Sequence, residues 1–103
     1  MLFSRMIICE AINDDVLSEL VGLLQDHIPN IPNLAGHSIL VEEGGQMVLL
    51  ITEFRNREDC LLYHSSRAYR QLVAGTQHLL VGSYVVKLFQ NRSESRQVRS
   101  TRQ

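Results

Sequence analysis

Four histidines, His27, His37, His64 and His78, are spread along the chain, and imidazole is the side chain whose ordinary pKa, about 6.5, suits it to take a proton at neutral pH. Their settings differ. His64 stands just before Ser65 and Ser66 in a helical pattern. His37 sits at the mouth of a predicted hairpin whose alternation puts it on one face with Thr52 and, two residues along the strand, Phe54. No carboxylate is placed where that face would show it to a cavity, so His64 and His37 are the candidate bases. His27, closing a helix beside Pro29, and His78, in a connection, are weaker candidates.

Tyr63, Tyr69 and Tyr84 can donate phenol hydroxyls to a bound oxyanion, and Arg70 has the fixed charge to hold an anion. Each candidate also has an ordinary structural reading: a half-exposed helix histidine, a histidine capping a strand beside Gly36, core tyrosines with wet tips, a solvated surface arginine. Cys9 and Cys60 show neither a CxxC spacing nor a paired histidine, so they read as small buried hydrophobes and no metal site is expected.

The elements that must position these residues follow from local patterns. Residues 2–11 read as a strand, apolar at Phe3, Ile7 and Cys9 on one face and at Met6 and Ile8 on the other. Asn13 is an N-cap, Asp14 and Asp15 favour the positive end of a helix, and Val16, Leu17, Leu20, Val21, Leu24 and Ile28 recur at helical spacing until Pro29 and Pro32. Gly36 opens a second strand, residues 37–43. Gly44 and Gly45 then predict a two-residue turn of the primed type into a third strand, 46–54, pairing His37 with Thr52, Ile39 with Leu50 and Val41 with Val48. Asn56 caps a helix carrying Cys60 to Tyr63, the two serines interrupt it, a second helix runs over 67–74 to a terminator at Gly75, and a last strand covers 79–89.

The chain is long enough for one core, and 45% hydrophobic with 20% charged residues is globular composition. One domain is expected over residues 1–90, with a basic polar tail over 91–103 predicted to be disordered. Residues 90–103 hold four arginines and one glutamate, leaving six basic against ten acidic residues in the body, a poor surface for nucleic-acid phosphates. With no signal-peptide pattern and no apolar run near 20 residues, no membrane partner and a cytoplasmic location are the expectation. The order strand, helix, strand, strand, helices, strand predicts an α+β, ferredoxin-like βαββαβ fold: a four-stranded antiparallel sheet with its helices on one face. The strands' second apolar face then lacks cover, which predicts a homodimer joined sheet to sheet as a dimeric α/β barrel.

The run Ile51-Thr-Glu-Phe-Arg-Asn-Arg-Glu-Asp59, followed by Tyr63-His-Ser-Ser-Arg-Ala-Tyr-Arg-Gln-Leu72, resembles the antibiotic biosynthesis monooxygenase pattern, and the similarity spans roughly Phe3 to Phe89. That resemblance implies the same fold and a cofactor-independent monooxygenase acting on a small phenolic or quinol-type aromatic substrate. Such enzymes form a substrate anion that reduces O2 itself, so the protein supplies a base, donors for the anion and a dry pocket. It further implies His64 as base; His37, from the hairpin face, is the other candidate, and Tyr63, Tyr69, Thr52, Arg70 and Phe54 are the residues expected around the substrate. The haem-degrading members' Asn, Trp and His are matched here by Ile8, Tyr63 and Val73, so no haem and no other cofactor is expected. The absence of tryptophan also departs from the family's anthrone oxidisers. The alternative is a non-catalytic dimeric module of the same fold that binds a small ligand or serves as an interaction surface. Polar groups converging in a pocket would favour the enzyme, and a cavity shut by Ile, Leu and Val the module.

Overall fold

Asn13 opens the first helical segment through its side chain: Oδ1 accepts from the Val16 amide at 3.1 Å, and Asp14 and Asp15 follow in the first turn. In the computed structural model, which describes residues 2–92, this single turn (Asp14–Val16) runs into α1 (Leu17–His27). The helix buries Leu20, Leu24 and His27, spaced to share one face, and a tight turn, Ile28–Asn30, containing Pro29 ends it.

The strands are β1 (Phe3–Glu10), β2 (Leu34–Val41), β3 (Met47–Phe54) and β4 (Val85–Gln90), in the order β2-β3-β1-β4 with every neighbour antiparallel. This is the expected α+β ferredoxin-like sheet. Its hairpin has the expected register, with His37 opposite Thr52, Ile39 opposite Leu50 and Val41 opposite Val48. The turn differs from the primed type. Gly45 N–H bonds the Glu42 carbonyl at 3.2 Å, and of the two glycines only Gly44 takes a positive φ, 74°, so one left-handed residue suffices to reverse the chain.

Two helices follow, α2 (Arg57–His64) and α3 (Arg67–Thr76). Asn56 caps the first, accepting from the Asp59 amide at 2.8 Å, and Ser66 caps the second, accepting from the Tyr69 amide at 3.1 Å. Gly75 does not terminate α3. The helix passes through it to buried Thr76 and then tightens over Gln77–Leu79, because Leu72, Thr76 and Leu79 all fill the core. The last strand is correspondingly shorter than predicted. Leu80 makes a single bridge to Ala11, Gly82 adopts φ 71°, and only from Val85 does the chain rejoin β1. An apolar run therefore served two purposes, core plug and strand, with a glycine bend between them.

The helices cover one face of the sheet. Ile7, Cys9, Val48 and Leu50 pack there against Leu20, Leu24, Leu72 and Leu79, while Phe54, Cys60, Tyr63 and Ile31 make a second cluster at the other end. Across the sheet, Met6, Ile8, Leu49 and Ile51 are half-buried, and Leu40, Met47, Val85 and Phe89 are exposed, from 37% at Met47 to 51% at Val85. The second apolar face predicted from the strands is therefore present and is left uncovered by the described residues. Among the described residues no helix is long and apolar enough to cross a membrane. Most of the tail read from the sequence, from residue 93 onward, lies outside the described residues.

Candidate functional site

The central strand β1 presents Phe3, Arg5, Ile7 and Cys9 to the helices by its two-residue alternation. One of these four is charged. Arg5 is 0% exposed, at the middle of the sheet between Thr52 on β3 and Leu88 on β4. A guanidinium stays protonated at any physiological pH, so its burial must be offset locally.

Aromatic rings do part of this. The Arg5 Cζ lies 4.8 Å from the Tyr63 ring centroid and 4.1 Å from that of Tyr69. His64 does another part, its Nδ1 receiving Nε at 3.3 Å and Nη2 at 2.9 Å. Because both guanidinium nitrogens can only donate, Nδ1 must accept, and His64 is in this arrangement the neutral imidazole protonated at Nε2. The remaining nitrogen, Nη1, is buried with no hydrogen-bond partner, and no carboxylate pairs with Arg5 among the described residues.

The interruption between α2 and α3 builds this cage. Tyr63 and His64 end one helix and Tyr69 begins the next. The Ser66 amide bonds the Tyr63 carbonyl at 3.0 Å while the Ser66 hydroxyl holds the Tyr69 amide. The tyrosine rings meet edge-on at 5.6 Å between centroids, and His64 stacks on Tyr69 at 6.0 Å. Phe54 backs Tyr63 at 5.9 Å, and the Thr52 hydroxyl donates to the Arg5 carbonyl at 3.2 Å, fixing the backbone beneath the guanidinium. Arg70 is exposed and reaches the Ser65 carbonyl at 2.7 Å, tying the helix junction from outside.

Behind Tyr63 lies a second buried polar group. The Tyr63 hydroxyl and His27 Nε2 are 2.7 Å apart, and His27 is 5% exposed. Burial, and then the Arg5 charge, push the His27 pKa below 6.5, while burial pushes the Tyr63 phenol up despite that same charge. Both are therefore neutral near pH 7. Tyr84 lies apart, bonded to Thr76 Oγ1 at 2.5 Å, and burial raises its pKa to about 12 against the lowering effect of that bond. Cys9 and Cys60 are free buried thiols, with burial raising Cys9 to about 11.

Of the residues singled out from sequence, His64, Tyr63, Tyr69, Thr52 and Phe54 meet around Arg5. His37 does not join them: it is exposed on the edge strand β2, beside a cleft with Gln25, Ile28, Pro29, Ser38 and Ile39. One member of the cluster, Arg5, was not foreseen as a site residue, and His27, the weaker candidate expected at the end of a surface helix, is buried. Arg5 carried a visible signal, a charge on the core-facing register of a strand apolar on both sides. His27 carried one too, since it follows Leu20 and Leu24 on the same helical face. The arrangement presents a guanidinium to an oxyanion, and it can accept a proton on His64. Among the described residues no three His, Cys, Asp or Glu side chains are grouped to hold a metal ion.

No family model and no curated protein matches the chain by sequence. Solved structures do match it in fold. The Rv0793 protein of Mycobacterium tuberculosis superposes with a TM-score of 0.77 at 17% identity, over 92% of this chain and 99% of that one. A variant of SnoaB, a cofactor-independent oxygenase from Streptomyces nogalater, gives a TM-score of 0.74 at 10% identity, covering 90% and 95%. The ActVA-Orf6 monooxygenase of Streptomyces coelicolor, in complex with Nanaomycin D, gives 0.74 at 14% identity, covering 89% and 88%. The chain has the fold of these proteins over nearly its whole described length.

Proposed function

We propose that this chain belongs to the antibiotic biosynthesis monooxygenase family and acts as a cofactor-independent oxygenase on a small phenolic or quinol-type aromatic. The observation that carries the reading is the convergence of His64, Tyr63 and Tyr69 on a buried cation between sheet and helices. The oxygenases that share the fold support the choice of reaction.

The chemistry asked of the residues is proton transfer and charge stabilisation. A substrate hydroxyl entering beside His64 gives its proton to Nδ1 as the Arg5 N–H groups move from Nδ1 to the new oxyanion, so a negative charge replaces the imidazole lone pair before the cation. The electron-rich anion then reduces O2. In the net reaction the substrate gains one oxygen atom of O2 and gives up two hydrogens, one of them the hydroxyl proton, which leave with the other oxygen atom as water. Enclosure by Tyr63, Tyr69 and Phe54 keeps bulk water from competing for the anion. Oxygen uptake and quinone absorbance measured with a panel of anthrones and quinols, against protein-free autoxidation, test the reading. No uptake above that blank for any of them overturns it.

We infer that the working unit is a homodimer. The uncovered sheet face with Met6, Ile8, Leu49, Ile51, Leu40 and Phe89 supports this, because a contiguous apolar patch of that kind is rarely left to water on a monomer.

A further inference from the structure

On the far side of Tyr63 from the sheet, α1 lies against α3, and the side of α1 turned toward that neighbour is mostly polar. Leu23, Asp26, His27 and Asn30 fall at i, i+3, i+4 and i+7 and so share one side, where only Leu23 is apolar. Opposite them α3 offers Ala68, Gln71, Leu72 and Gly75 at the same spacing, and between the two rows is a cleft of about 190 Å3. Gly75 keeps it open. A glycine within a helix is destabilising relative to alanine, and a Cβ added at Gly75 would meet nothing within 4 Å, so no neighbour excludes a larger residue there.

The polar groups of the cleft are matched to one kind of ligand. His27 is 5% exposed and forms part of the floor. Its Nε2 is taken by the Tyr63 hydroxyl, which leaves Nδ1, with no protein partner among the described residues, as the nitrogen free to meet a ligand. Because the ring is neutral near pH 7, Nδ1 can accept a hydrogen bond when the ring proton sits on Nε2 and is donated to Tyr63. Asp26 supplies a carboxylate at the rim, pairs with no basic side chain among the described residues, and stands in the last turn of α1, where the helix dipole favours a positive charge. The amide oxygens of Asn30 and Gln71 add acceptors from the two sides, and no basic side chain lines the cleft. Thr76 offers nothing further, its hydroxyl being bonded to the Leu72 carbonyl and to Tyr84. Toward Leu23 and Leu72 the walls turn apolar. The volume equals that of about six water molecules at ~30 Å3 each, so a ligand has about six non-hydrogen atoms.

We propose that the cleft between α1 and α3 is a binding site for a short alkylammonium, whose N–H groups are shared by the Asp26 carboxylate and His27 Nδ1 and whose chain lies along Leu23 and Leu72. The site is separate from the Arg5 cage and does not rest on the oxygenase reading.

The probe is 3-methylbutylammonium at about pH 7.5, three units below the ordinary alkylamine pKa, against its neutral isostere 3-methylbutan-1-ol. Binding is followed by the imidazole 15N and 1H shifts of His27 in wild type, Asp26→Asn and Gly75→Leu, both substituted positions being exposed. The ammonium should saturate with a Kd of about 1 mM, the level suited to so small a ligand, and should hold His27 as the tautomer protonated at Nε2. The alcohol should bind about 5-fold or more weakly. Asp26→Asn should weaken the ammonium about 5-fold without affecting the alcohol, and Gly75→Leu, which fills the cleft, should abolish both. Equal wild-type affinity for the two probes overturns the proposal. So does an unchanged ammonium affinity in either folded variant, or no saturable His27 shift up to about 50 mM. N-acetyl-lysine methylamide then separates the sources of such a group: tighter binding than the free amine assigns the site to a lysine of another protein, and weaker binding to a free amine. Oxygen uptake is not part of the readout, so failure here leaves the oxygenase reading in place, and failure of that reading leaves this site.

Discussion

Replacing Arg5 by methionine should leave the protein as stable as wild type or make it more so. The Arg5 side chain is 0% exposed, so its charge has lost bulk hydration, a penalty of several kcal/mol for a buried ion after relaxation, with roughly 1–3 kcal/mol more for the unmade bond at Nη1. Against this stand two ring contacts worth about 0.5–2 kcal/mol each and a charge-assisted bond to one imidazole nitrogen, worth about 1.5–3 kcal/mol and shared between Nε and Nη2. The two sides are close to cancelling. Methionine fills most of the volume, keeps contact with Tyr63 and Tyr69 through its thioether and removes the desolvation term, so the net change is expected between zero and about 2 kcal/mol of stabilisation. Urea denaturation gives the free energy directly, and in a melt each 1 kcal/mol moves Tm by about 4–8 °C for a chain this size. A loss above about 2 kcal/mol, with an unchanged m value, would show that the guanidinium is a net structural asset and refute the argument that it is kept for a ligand.

Stability should fall with acidification through His27: its folded pKa lies below 6.5, so as pH drops the unfolded chain takes up the proton first, and stability held above pH 6.5 is lost toward the folded pKa. Melts from pH 7.5 to 5 should show a slope up to about 1.4 kcal/mol per pH unit from this group, flattened in His27→Gln. If the chain oxidises a quinol, His64→Ala should lose about 100- to 10,000-fold in turnover and His37→Ala, on the far edge strand, almost none, by initial rates of oxygen uptake. Light scattering should give twice the 11.8 kDa chain mass for wild type and a smaller species for Ile51→Glu, which puts a charge into the uncovered sheet face. A wild-type monomer at micromolar concentration would end the dimer proposal.

The architecture was legible because local signals agreed with one another: Asn13 and Asn56 cap where their side chains reach the third following amide, and the strands' alternation gave the helices an apolar face to cover. The errors fell where a residue had two permissible conformations. Gly75 is read as a stop only if nothing downstream prolongs the helix, and buried Thr76 and Leu79 do prolong it. Register alone determined that Arg5 shares a face with Ile7 and Cys9, and helical spacing alone that His27 follows Leu24. Only the tertiary structure decided that these two residues, twenty-two apart, both meet Tyr63, Arg5 at its ring and His27 at its hydroxyl, with His64 rather than His37 against the guanidinium. The physical reason is that periodicity specifies which face a side chain leaves from, while the pairing of faces depends on how α2 and α3 settle on the sheet. That packing has no local signature in the chain.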